Sequence, residues 1–249
     1  MNIIIFGANG RMGRMLTETV QTSGEHTVAA RVSPSYYTDS LENTYPSLAQ
    51  YDGPADVVID FSNHAAVREL LPYCVGRSLP AVIAATAHTD AELSLIREAA
   101  ERIPVFLSAN MSIGVALVAA MAKKAAAAFP NADIEIIERH HNQKLDVPSG
   151  TALLLARRIQ ETRSEAELVI GRHENGKRSP GEIGIHSLRY GSEVGTHEII
   201  ISTGAETVTL RHEAENRSLF AQGAVAAAAF LVGQAPGLYD MKDITGGDA

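Results

Sequence analysis

Apolar residues fall in two regimes along this chain. Up to about residue 110, short unbroken runs rich in β-branched residues alternate with longer stretches of helical spacing. The runs at Asn2–Phe6, 26–32, 55–61, 81–84 and Pro104–Leu107 predict strands, and the stretches at 11–22, 65–75 and 90–102 predict helices. Strands that are apolar on both faces and alternate with helices predict a parallel sheet covered on both sides. After Asn110 the pattern changes. Residues 112–129 form a long alanine-rich helical stretch, and 133–138 alternate apolar and acidic residues as a half-exposed strand does. A helix is predicted from near Ser149 to about Thr162, then glycine-punctuated strands at 182–189, 197–202 and 207–212. A last helix, 218–233, is rich in small apolar residues and should be buried. The predicted fold class is α/β: a Rossmann-like dinucleotide-binding domain, residues 1–112 with 217–249, and a smaller α+β domain with an open mixed sheet, residues 113–216.

The first strand runs into Gly7-Ala8-Asn9-Gly10-Arg11-Met12-Gly13, with glycines three apart and a helix behind them. That placement suits a tight turn, close backbone approach to a pyrophosphate, and free N–H groups at the helix start that hold phosphates. A bare ribose calls for an acid at the end of the second strand, and a 2′-phosphate calls for donors or a cation. Here the strand ends in Arg31-Val32-Ser33-Pro34-Ser35, and no acid appears before Asp39. Arg31, Ser33 and Arg11 are possible donors, which leans to NADPH or to tolerance of both NADPH and NADH. The alternative is that Arg31 is a solvated strand residue.

The densest chemistry lies at Glu138-Arg139-His140-His141-Asn142-Gln143-Lys144-Leu145-Asp146-Val147-Pro148-Ser149-Gly150-Thr151. A histidine can exchange a proton near neutral pH, and a neighbouring lysine can donate one or steady a developing anion. Ser149, Gly150 and Thr151 open a helix, where backbone N–H groups and a hydroxyl can hold a carboxylate. Strand neighbours point to opposite faces, so one of His140 and His141 is expected to do chemistry directly. No third ligand falls at metal-site spacing, so no metal is expected.

Composition narrows the partners. At 249 residues, with 45% hydrophobic and 20% charged residues, the chain can bury a core without staples. A net charge of -8 and the lack of any Lys/Arg-rich run disfavour nucleic acid. The single cysteine, Cys74, excludes an intrachain disulfide and fits a reducing compartment. No signal peptide or membrane span is read, so the expectation is a cytoplasmic protein with no membrane partner.

The segment 138–152, together with Asn110-Met111-Ser112-Ile113-Gly114-Val115, the glycine loop, Asp60-Phe61-Ser62 and the tail motifs 217–224 and 237–241, resembles the dihydrodipicolinate reductase family along essentially the whole chain. The resemblance implies NAD(P)H-dependent reduction of 4-hydroxy-tetrahydrodipicolinate, a small dicarboxylate of lysine and diaminopimelate biosynthesis. It implies His140 as catalytic acid/base, Lys144 as proton donor, His141 as a substrate contact, and Gly150 and Thr151 as carboxylate holders. Cofactor contacts would come from Gly7, Ala8, Asn9, Gly10, Arg11 and Met12, from Ala84, Ala85 and Thr86, and from Ser108, Ala109, Asn110 and Met111. The family is typically a homotetramer built through the second domain's sheet. The chain departs from the family in reading Ala84-Ala85-Thr86-Ala87 where Gly-Thr-Thr-Gly is usual. Added methyls there make a positive φ costly. Other readings are a related dehydrogenase acting on another imine or amino acid, and a catalytically silent NAD(P)-binding sensor.

Overall fold

The computed structural model describes residues 1–37 and 42–246. Asp39, the first acid after the second strand, lies outside the described residues. The chain forms two compact units. One comprises Met1–Met111 and the segment that begins at Ser218; the other is Ser112–Arg217.

The first unit opens with β1 (Asn2–Phe6), α1 (Arg11–Ser23), β2 (Thr27–Val32) and the two-residue β3 (Thr44–Tyr45). It continues through β4 (Val57–Asp60), α2 (Val67–Arg77), β5 (Ala81–Ile83), α3 (Asp90–Ala100) and β6 (Pro104–Leu107). The second unit contains α4 (Ile113–Ala128), β7 (Asp133–His140), α5 (Gly150–Gln160), β8 (Glu167–Ile170), β9 (Glu182–Arg189), β10 (Gly195–Ser202) and β11 (Thr207–Ala214). The chain then returns to the first unit with α6 (Ser218–Leu231), β12 (Gly237–Tyr239) and α7 (Met241–Ile244).

The first sheet has the order β12-β6-β5-β4-β1-β2-β3, and every neighbouring pair is parallel. Ile3, Ile4 and Ile5 on β1 and Val57, Val58 and Ile59 on β4 are fully buried, so both sheet faces are covered. Each such side chain contributes about 1.5–3 kcal/mol by leaving water. α6 packs on α1, and its small residues allow close approach. A Cβ at Gly223 would lie 1.7 Å from the Met111 carbonyl oxygen.

The second sheet has the order β11-β10-β7-β9-β8 and is mixed. β10 runs antiparallel to β7 and β11, whereas β9 runs parallel to β7 and β8. Strict alternation on β7 buries Ile134, Ile136, Glu138 and His140 on one face. Ile134 and Ile136 join Ile183, Ile185, Ile199 and Ile201 beneath α4 and α5. The strand predicted to stop at 138 extends to His140, which carries that buried face into the polar segment. No helix of the described residues is long and apolar enough to cross a membrane.

Candidate active site

The expected cofactor residues all lie at the carboxyl ends of parallel strands, where open α/β sheets bind ligands. Gly7 ends β1 at φ 80°, and a Cβ there would sit 2.7 Å from the Ser62 nitrogen. Only glycine meets both demands. Gly13 lies in the first turn of α1, where a Cβ would approach the Gly7 oxygen to 2.3 Å. Gly10 caps α1 without a side-chain acceptor, so the first-turn N–H groups are left for an external anion. The loop is fastened to β2, because the Gly7 and Ala8 N–H groups both donate to the Val32 oxygen at 2.9 and 3.1 Å.

At the end of β2 the Asn9 amide donates to Ser35 Oγ at 2.7 Å, and Ser35 Oγ lies 3.0 Å from Ser33 Oγ. Arg14 donates from Nε to Asn9 Oδ1 at 3.2 Å. Arg31 turns elsewhere, since its guanidinium donates to the Glu42 carbonyl at 2.5 Å. Of the expected donors, Ser33 therefore joins the loop and Arg31 does not. Arg14 and Ser35 were not anticipated, although both flank motifs already singled out.

Ala84 and Ala85 follow β5, and Ser108 to Met111 follow its neighbour β6. The Ala84 N–H donates to the Asp60 oxygen at 2.9 Å and the Ser108 N–H to the Ile83 oxygen at 3.2 Å. Ser108 Oγ donates to the Asn110 oxygen at 2.8 Å, which curls this turn on itself. Thr86 and Ala109 are exposed. Ala87 adopts φ 66°, in the left-handed region.

In the second unit His140, the expected acid/base, belongs to a buried network. His140 Nδ1 lies 2.6 Å from Glu138 Oε2. Arg189 grips the same carboxylate with both Nη atoms, at 2.8 and 2.7 Å, and the Ser149 N–H donates to Glu138 Oε1 at 3.2 Å. Burial would push the Glu138 carboxyl up, but the bonds from His140 and Arg189 outweigh it and hold it well below the usual carboxylate range. A charged Glu138 fixes the Nδ1–H tautomer of His140 and leaves Nε2 for chemistry. A Cβ at Gly195 would lie 2.8 Å from that Nε2, so the glycine makes room for the ring.

His197 pairs with Glu138 across β10 and β7 and stacks edge-on to His140, with ring centroids 5.2 Å apart. Burial, and then the nearby His140, push its imidazole down to about 3. It is therefore neutral near pH 7. Its Nε2 lies 3.0 Å from Ser149 Oγ, the oxygen that caps α5 by accepting from the Ala152 N–H at 3.2 Å. Ser149 is thus buried and engaged in capping, while Gly150 is exposed at the helix start.

Lys144 and His141 lie on the loop between β7 and α5. The loop is pinned by the His141 N–H to the Glu193 oxygen at 2.8 Å and by the Asn142 N–H to the Gly191 oxygen at 3.2 Å. Its Val147–Pro148 peptide is cis. Lys144 Nζ pairs with Asp146 Oδ1 at 2.8 Å. The Lys144 bond, helped by the Gly150 N–H, holds the Asp146 carboxyl below its ordinary value. Arg217 Nη2 approaches His141 Nε2 to 3.5 Å. Desolvation, and then Arg217, His140 and Lys144, push the His141 imidazole down. This convergence of cations suits an anionic ligand.

Glu138, Arg189, His197, Asp146 and Arg217 are additions to the expected set. Glu138 was recoverable from sequence, because it precedes His140 by two on a strand and so shares its face. Arg189 and His197 come from strands whose register the sequence does not disclose.

Comparison with known proteins agrees along the chain. Residues 1–111 match the family described as dihydrodipicolinate reductase, N-terminus, and residues 114–245 match dihydrodipicolinate reductase, C-terminus. The chain is 42% identical to a 4-hydroxy-tetrahydrodipicolinate reductase of Caldanaerobacter subterraneus subsp. tengcongensis over 98% of both chains. It is 41% identical to one of Clostridium novyi over 97% of both. Among solved structures it is similar to a dipicolinate-bound dihydrodipicolinate reductase from Paenisporosarcina sp. TG-14, with a TM-score of 0.79 and 28% identity over 98% of both chains.

Proposed function

The chain belongs to the dihydrodipicolinate reductase family, and from that premise we propose that it reduces 4-hydroxy-tetrahydrodipicolinate to tetrahydrodipicolinate, with loss of water, in lysine biosynthesis. The observation that carries this reading is the Arg189–Glu138–His140 array, standing beside Lys144 and the start of α5. The family uses a pyridine nucleotide, and the nicotinamide when bound supplies the hydride. The first unit is the dinucleotide-binding domain, with Gly7 to Met12, Ser33, Ala84 to Thr86 and Ser108 to Met111 as its cofactor contacts. The glycine loop fits that group, because Gly7 has no room for a Cβ and α1 begins without a side-chain cap.

The second unit binds substrate. The N–H groups of Gly150 and Thr151 at the start of α5 hold one carboxylate, supported by Ser149, and His141 contacts the ring substituents. Lys144 donates the proton to the carbon adjacent to the one that receives hydride. His140, its tautomer set by Glu138, manages the proton balance at Nε2. NADPH is favoured over NADH because, among the described residues, the end of β2 presents the Ser33 and Ser35 hydroxyls and no carboxylate. The partly uncovered face of the second sheet, with Leu188 42% exposed, supports a homotetramer, and the protein works in the cytoplasm.

The test is NADPH oxidation with freshly generated 4-hydroxy-tetrahydrodipicolinate, run in parallel with NADH. Lys144→Ala should lower kcat by about 10²–10⁴. No turnover by the wild type despite cofactor binding would overturn the reading. Light scattering on the purified protein tests the tetramer.

A further inference from the structure

Outside the site just described, Glu92, on the first turn of α3, is a nearly buried carboxylate with partners on two loops. Its side chain is 3% exposed. Oε2 accepts the Thr89 N–H at 2.9 Å and lies 2.9 Å from His64 Nδ1. Its own N–H donates to Thr89 Oγ1 at 3.3 Å, which completes a capping box. Arg68 stands farther off, at 3.9 Å from Oε1. Helix capping explains Thr89. It does not explain His64, which belongs to the turn after β4.

The contact therefore joins two loops at the carboxyl ends of adjacent strands. One is Asn63-His64 after β4; the other is Ala84 to Thr89 after β5. The second loop carries Ala87 in the left-handed region, a conformation that costs a non-glycine residue about 1–2 kcal/mol. Such strain persists only where the surroundings over-determine the backbone. Here the Ala84 N–H is held by the Asp60 oxygen at one end, and the Thr89 N–H is held by Glu92 at the other.

We infer that Glu92, through His64, is a positioning residue that locks the loop after β5 in the shape that receives the nicotinamide end of the cofactor. The inference rests on the reading that Ala84 to Thr86 contact that cofactor. The tie offsets the strain at Ala87, because a left-handed alanine needs an external clamp where a glycine would not. A buried carboxylate fits the task, since it accepts from two loops at once and is costly to leave half satisfied.

The experiment measures binding of NADPH, by its fluorescence, and of 2′-phospho-ADP-ribose, which lacks the nicotinamide, by calorimetry. The proteins are the wild type, His64→Ala, His64→Gln and Arg68→Ala. His64→Ala leaves the capping box intact but removes one partner of Glu92, so its melting temperature should fall modestly while the unit stays folded. The variant should weaken NADPH about three- to tenfold, the net value of one typical hydrogen bond, and leave 2′-phospho-ADP-ribose unchanged. His64→Gln keeps an N–H donor and should recover part of the loss, and Arg68→Ala should bind as the wild type does. In turnover, KM for NADPH should rise in His64→Ala with KM for the second substrate unchanged. Equal NADPH binding by His64→Ala and the wild type would overturn the inference, as would parallel weakening of both ligands. A wild type that binds neither ligand would overturn the cofactor reading itself, and the inference with it.

Discussion

Glu138 and His140 sit two residues apart on one strand, with carboxylate and imidazole 2.6 Å apart and both shielded from solvent. A buried carboxylate in this relation orients the ring and fixes its tautomer. Glu138→Gln should keep the shape but lose the charge, and kcat should fall about 10- to 100-fold. KM for the dicarboxylate should change little, because the α5 N–H groups are untouched. Steady-state kinetics on both variant and wild type check this; an unchanged kcat would remove Glu138 from the mechanism.

Asp146 pairs with Lys144 Nζ at 2.8 Å, the group proposed to donate the proton to substrate. On that reading a bound dicarboxylate competes with it. Asp146→Asn weakens the internal competitor, so dipicolinate should bind several-fold more tightly, which corresponds to about 1 kcal/mol. Calorimetric titration of dipicolinate reads the change directly, and weaker binding would show instead that Asp146 helps to place Lys144.

Stability should fall as the pH drops below 6.5. The His197 imidazole ionises at about 3 when folded and near 6.5 as an ordinary histidine. Between those values the unfolded chain holds a proton that the folded chain refuses, so acid favours unfolding. The loss between pH 6.5 and pH 5 should be about 2 kcal/mol for this group. Asp60 acts oppositely. Burial raises its carboxyl from 3.8 to about 6, so its contribution is present below 3.8 and is lost as the pH rises through 6. The two groups lie in different units, and urea titrations of His197→Gln and Asp60→Asn should each flatten one slope.

Ala87→Gly should stabilise the first unit. Relief of the left-handed alanine gains about 1–2 kcal/mol, and added freedom in the unfolded chain returns about 0.5–1 kcal/mol. The net gain of about half to one kcal/mol should appear in denaturant unfolding at constant m-value. A loss would mean that the Ala87 methyl packs against something it needs.

Much of this arrangement is legible in the residues. Ile3 to Phe6 of β1 and Val57 to Ile59 of β4 form unbroken apolar runs because both sheet faces are covered, and such runs are hard to mistake. Short elements are not: β8 reads Glu-Leu-Val-Ile and β12 only Gly-Leu-Tyr, and each gains its identity from the strand it pairs with, β9 for the first and the distant β6 for the second. The same limit applies to the site. His140 and Lys144 stand out by clustering, whereas Arg189 and His197 reach Glu138 only through the pairing of β9 and β10 with β7. Ser149 stands out too, but its hydroxyl is turned inward to cap α5. Local spacing identifies a cap more readily than it tells a cap from a ligand contact.

The order of the elements has a consequence for synthesis. β12 pairs with β6 and α6 packs on α1, so the unit that opens the chain waits for residues made more than a hundred positions later. Ser112–Arg217 is contiguous and can close on itself as soon as it clears the ribosome. The nascent chain thus finishes its middle before its beginning, and until then β6 is exposed as an open sheet edge.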